Sequence, residues 1–201
     1  DTDLSHGAMM RYYQEFSEPV IVSRYESIDK IIEETVASGA HAIVDLAAQT
    51  SQAVNQWILD AGILELADEL GFSITFWHVM DDGSDTLMLL EKQLNYFSNL
   101  VNFIVVRNYG RGQNFHHYEQ SEVARMAQES GAKMIDLPAL HPPTMQKIDH
   151  ISASFWAASN NTDSEMGPTL GLLERQRVKT WLNKTYQQLD RSLMLTPLIE
   201  F

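Results

Sequence analysis

Chemistry in this chain, if the sequence encodes any, falls to a few polar residues that close apolar runs. Asp1 and Asp3 form a D-x-D ahead of a small and polar stretch, LSHGA. Two carboxylates so near each other repel unless a cation or ordered water lies between them, although a charged, frayed end has the same composition. Asp45 closes the apolar run in IVDLAAQ. An acid at a strand end is how many phosphate-handling enzymes hold magnesium, usually through water, and many α/β strands end in Asp without that role. Asn108 closes FIVVRN. Its amide offers one donor and one acceptor, enough to read the edge of a purine, and asparagine also starts loops for purely local reasons.

Other chemistries are poorly supplied. The chain has 201 residues and no cysteine, which excludes a disulfide scaffold, a thiolate zinc site and a cysteine nucleophile. Its seven histidines form no H-E-x-x-H and no i,i+4 pair, and the adjacent His116 and His117 point apart on any regular element. His78 sits in an apolar run and reads as a packed core residue. No G-x-S-x-G and no G-x-x-x-x-G-K-[ST] occurs, so neither a hydrolase elbow nor a lysine-bearing phosphate loop lies in these residues. A formal charge of −13 argues against a protein that coats nucleic acid. No apolar stretch approaches the roughly 20 residues that span a bilayer, and the expected compartment is the cytoplasm.

The elements that must position these residues are legible from period. Ser27 is placed to cap a helix with Ile28, Ile31, Ile32 and Val36 on one face, stopped at Gly39. HAIVDL (41–46) reads as a strand, 50–60 and 62–70 as helices, and FSITFWHVM (72–80) as a second strand. From Ser84 a helix places Leu87, Leu90, Leu94 and Phe97 at i, i+3, i+7 and i+10. NFIVVRN (102–108) reads as a buried strand leading into a glycine-bearing loop, YGRGQNF. A helix over 119–130 stops at Gly131, and KMIDLP (133–138) is a further strand ended by its proline. The polar stretch 157–168 reads as a mobile loop, and a helix from about Thr169 to Leu193 carries Val178, Trp181, Leu182, Leu189 and Leu193 on one side. Strands that are near-continuous apolar runs alternating with helices describe an α/β fold, a three-layer, mostly parallel sheet flanked by helices. Ligands in such sheets gather at the carboxyl ends of strands, which singles out Asp45, Met80-Asp81-Asp82, Asn108 and Leu137-Pro138. The expected organisation is one domain over 1–201, with 169–195 as a C-terminal helix packing on it.

Taken in order, these pieces resemble the ParA/MinD-type deviant-Walker P-loop ATPases, and within that group the conjugal-transfer TraL proteins of plasmids. DTDLSHGAM resembles the D-x-D after the family's second strand, HAIVDLAAQ its Walker B strand, and FWHVMDDGSDTL the next strand and turn. FIVVRN resembles the base-reading strand, KMIDLPAL the strand-plus-proline segment, and ERQRVKTWLNKTYQQLD the C-terminal helix. The resemblance implies that Asp3 positions the attacking water and that Asp45 lies near magnesium. It implies too that Asn108 reads adenine, that Pro138 flanks the base and that Asp1 supports the switch. It further implies ATP/ADP and Mg2+ as cofactors, a nucleotide-dependent homodimer, and partners in plasmid transfer or partition, with direct DNA contact disfavoured by charge. In that family the phosphate loop precedes the D-x-D. The resemblance therefore implies roughly 35–40 residues upstream of Asp1, the size of a strand-loop-helix unit, so that the fold over residues 1–201 lacks its first such unit. The other reading is a nucleotidase-fold interaction module that docks partners without hydrolysis.

Overall fold

The computed structural model describes residues 1–3, 7–47, 49–162 and 169–193, with side chains described as far as 190. The chain divides into two compact units, Asp1–Phe72 and Ser73–Phe201.

The first unit is helical among its described residues. A short helix α1 (Ala8–Tyr12) and a single 3-10 turn (Gln14–Phe16) precede α2 (Tyr25–Ser38), α3 (Ser51–Asp60) and α4 (Ile63–Leu70). Gly39 and Gly71 end α2 and α4 with φ of 66° and 73°, the left-handed geometry in which glycine has no Cβ to clash. Ile28, Trp57, Ile58 and Ile63 are buried here, and Trp57 Nε1 donates to Asp29 Oδ1 at 2.7 Å, joining α3 to α2. Ser27 does not cap α2. The helix begins three residues earlier, after Arg24, and the Ser27 hydroxyl instead accepts from the Ile21 N–H at 2.9 Å.

HAIVDL forms no strand. Residues 41–47 are irregular, with Ile43 82% exposed. The physical reason lies in the hydrogen bonds. The Asp45 carbonyl accepts from both the backbone N–H and the hydroxyl of Thr2, at 2.9 and 3.0 Å, while Ala47 N–H donates to Thr2 Oγ1 at 2.8 Å. Among the described residues the segment is met at this one place, by the backbone and the hydroxyl of Thr2, and no run of partners sets a repeating register.

The second unit is α/β. Its sheet has three parallel strands, β1 (Thr75–Met80), β2 (Asn102–Asn108) and β3 (Lys133–Leu137), in that spatial order. Between and after them come α5 (Ser84–Phe97), α6 (His116–Glu119), α7 (Glu122–Glu129), α8 (Pro142–His150), α9 (Phe155–Asn160) and α10 (Leu172–Leu193). The central strand is buried on both faces, which is why it reads as a continuous apolar run. Phe103 and Phe97 of α5 both pack on Phe76, with ring centroids 5.8 and 5.4 Å away, and Leu87, Leu90 and Leu94 are buried with them, as the spacing predicts. On the opposite face Ile104, Val106 and Ile135 form a cluster against Leu137 and Leu189 of α10. Further along α10, Val178, Trp181 and Leu182 pack with Leu140, Ile148, Ala158 and Leu170.

The helix expected at 119–130 is two helices. Ser121 breaks the run and caps α7, its hydroxyl accepting from Ala124 N–H at 3.1 Å. Part of the stretch read as a loop, 157–160, is the end of α9, capped in the same way by Ser154. Residues 163–168 and the Leu193 side chain lie outside the described residues. Among the described residues, no helix is long and apolar enough to cross a membrane.

Candidate functional site

The residues singled out by sequence fall in both units. Asp1, Asp3 and Asp45 belong to the first, Asn108 and Pro138 to the second.

In the first unit Asp1 is not a frayed end; it is 8% exposed. One carboxylate oxygen accepts from Asp3 N–H at 2.9 Å and the other from Met10 N–H at 3.1 Å, so the side chain gathers the segment that follows it. Its main chain is held as well, donating to the Glu18 carbonyl and accepting from Val20 N–H, both at 2.9 Å. The wrapping requires glycine at position 7, because a Cβ there would stand 2.3 Å from Asp1 Oδ2. Thr2, between the two acids, is the residue bonded to Asp45. Asp3 and Asp45 are therefore carried on hydrogen-bonded neighbouring segments, both half-buried, with Thr2 fixing the one against the other.

In the second unit the sheet itself brings the other two residues together. Asn108 pairs in register with Leu137, and Tyr109 N–H donates to the Leu137 carbonyl at 3.0 Å, so Asn108 and Pro138 leave neighbouring strands side by side at their carboxyl ends. Pro138 also lines a groove of about 280 Å3 between the Pro138–His141 segment and α10; Asn108 does not line it. Trp181 forms part of its wall, anchored by a 2.5 Å hydrogen bond from its indole N–H to the Pro138 carbonyl. Among the described residues Arg177, Lys184 and His141 also line the groove and no carboxylate does, a setting for a planar or anionic group.

The loop after Asn108 is organised from within. Tyr109 N–H is taken by Leu137, and Gly110 N–H by Asn108 Oδ1 at 3.0 Å. Arg111 and Gly112 both donate to the Asn108 carbonyl, at 2.9 and 3.0 Å. Gln113 and Asn114 donate to Asp82 Oδ2, at 2.9 and 3.2 Å. These two amides hold the Asp82 carboxyl below its usual pKa, as hydrogen bonds to a charged form do. Six successive N–H groups thus face protein acceptors. A phosphate cradle needs the opposite arrangement, with amides turned outward to the anion. This loop accordingly does not supply a phosphate cradle.

Sequence reasoning missed two of these contributors as builders of the site. Asp82 stood among the strand-end acids, without a partner 31 residues away, and Gly112 was one glycine in a loop. Gly112 is buried against Asp82, where a Cβ would meet the Asp82 backbone nitrogen at 2.7 Å. Close approaches of that kind leave a glycine in the sequence but no sign of what it approaches.

Arg107 is a third. It reaches Asp136 with two nitrogens, at 2.6 and 2.9 Å, and also pairs with Glu119, fastening β2 to β3 and α6. The pairing with Asp136 raises its pKa further, so it is a permanent structural cation. Among the described residues no cluster of three or more acids and histidines is arranged to hold a metal ion. No protein-family model, curated protein or solved structure matches the chain.

Proposed function

We propose that the protein is a nucleotide-binding switch of the ParA/MinD type, binding ATP with Mg2+, hydrolysing it slowly and acting as a dimer in plasmid conjugal transfer or partition. The observation that supports this reading best is the placement of Asn108 beside Pro138 at the carboxyl ends of two parallel strands, where ligands of such sheets gather. Asn108 would hold the base edge and Pro138 its flank; a role for Asp45 at the metal and for Asp3 at the water rests on the family resemblance alone. Bound Mg2+ and ATP supply the charge neutralisation and the leaving group of phosphoryl transfer. This chain contributes recognition and orientation.

Calorimetric titration of the full-length protein with Mg-ATP tests the reading. Saturable binding is expected, weakened about tenfold by Asn108→Ala, a loss of about 1.4 kcal/mol. Phosphate release should be lost in Asp45→Ala. A wild-type protein that binds no Mg-ATP overturns the proposal.

The inward-turned glycine loop favours a second reading, an interaction module that keeps the fold and hydrolyses nothing. In that case Asp45→Ala leaves partner binding unchanged.

A further inference from the structure

Asn108 is oriented by its own loop, and the loop is held from the turn that follows β1. Because Asn108 Oδ1 accepts from Gly110 N–H, turning the amide over would set its NH2 group against another donor. The oxygen is thereby committed to the loop, which leaves the NH2 group as the donor that the nucleotide reading would direct at a base edge.

What keeps Gly110 in place is the turn from 108 to 114. Its near end closes on the Asn108 carbonyl, and its far end is gathered by the single oxygen Asp82 Oδ2. Gly112 lets the turn approach the Asp82 backbone more closely than any other residue allows. Tyr109 and Phe115 stack edge to face across the loop at 4.9 Å, with Phe115 buried.

We propose that Asp82 and Gly112 are positioning residues that set the amide direction of Asn108 and so decide which purine the site accepts. This inference rests on the nucleotide reading above. Neither residue touches the ligand. Each acts through the loop, which transmits their geometry to one amide group.

The test measures Mg-ATP and Mg-GTP affinities of the full-length protein by calorimetry and takes their ratio. Asp82→Ala and Gly112→Ala should each move the ratio toward one by roughly fivefold, the scale of one lost hydrogen bond. Asp82→Asn keeps a neutral acceptor in place and should restore most of the selectivity. Asp82→Ala should change nothing further in an Asn108→Ala background, since residues acting in series are not additive. A merely structural role predicts something different: both affinities fall together, and the two substitutions add. Either of those results overturns the inference. A wild type that binds neither nucleotide overturns the functional reading itself, and this one with it. Binding with an unchanged ratio in Asp82→Ala and Asp82→Asn overturns only the role given to Asp82 and Gly112.

Discussion

Two apolar segments of similar composition meet opposite fates. In the second unit NFIVVRN is a central strand with Val105 1% exposed, whereas in the first unit HAIVDL is irregular with Ile43 82% exposed. Both are rich in β-branched residues, so propensity does not separate them. The central strand has a parallel partner on each side and helices over both faces. The other segment meets one threonine, whose hydroxyl takes its hydrogen bonds singly. β-propensity describes a side chain's fit to a pleated, half-buried surface, and the surface must be there first.

The sharpest way to break this contrast is to cut each region where it is said to be strong or weak. Phe97→Ala removes a fully buried ring packed on Phe76 and should cost about 3–5 kcal/mol. Ile43→Ala should fall within about 0.5 kcal/mol of wild type, as exposed substitutions do. Urea unfolding of both variants checks the pair, and equal losses would end the distinction.

A smaller effect isolates the threonine. Thr2→Val keeps shape and removes the hydroxyl bonded to Asp45 and Ala47, which should cost about 1–2 kcal/mol. Hydrogen exchange should then quicken at the Ala47 amide and stay unchanged at Val105. Unaltered exchange at Ala47 would mean that the hydroxyl does not hold the segment.

The smallest expected effect is a pH slope arising in the sheet unit. His78 on β1 is half-buried, its Nε2 2.9 Å from the Thr86 carbonyl, and burial lowers its pKa below 6.5. The unfolded chain takes up a proton at this residue near pH 6.5 while the folded chain resists it. The stability it confers is therefore complete above that pH and declines as pH falls toward the lower folded value. Urea midpoints measured from pH 7.5 down to about 5 should fall in wild type and flatten in His78→Gln. Parallel curves would assign the slope elsewhere.

What the sequence made legible follows the same physics. The i, i+3, i+7, i+10 series of α5 is buried at all four positions, and the strand at 102–108 matches residue for residue. Both depend on local period and on burial from both sides, which composition records directly. Missed were α1, α8 and α9. The His141-Pro142-Pro143 start carried a helix signal in its prolines at the first turn. Ser154 carried another as an N-cap. Competing polar residues at 157–168 masked the second.

The site divides likewise. That Asn108 and Pro138 close neighbouring strands followed from their places at strand ends in a parallel sheet. The Asp82–Gly112 contact spans 30 positions and depends on the two strand ends lying side by side, which no spacing in the chain records.

The loop from Tyr109 to Asn114, with every amide already bonded, bears on the speed of recognition. Its ordering entropy is spent during folding, so a ligand arriving there meets a finished surface and immobilises little new chain. Encounters at such a surface need no slow rearrangement, and differences in affinity among ligands should appear in how long each one stays.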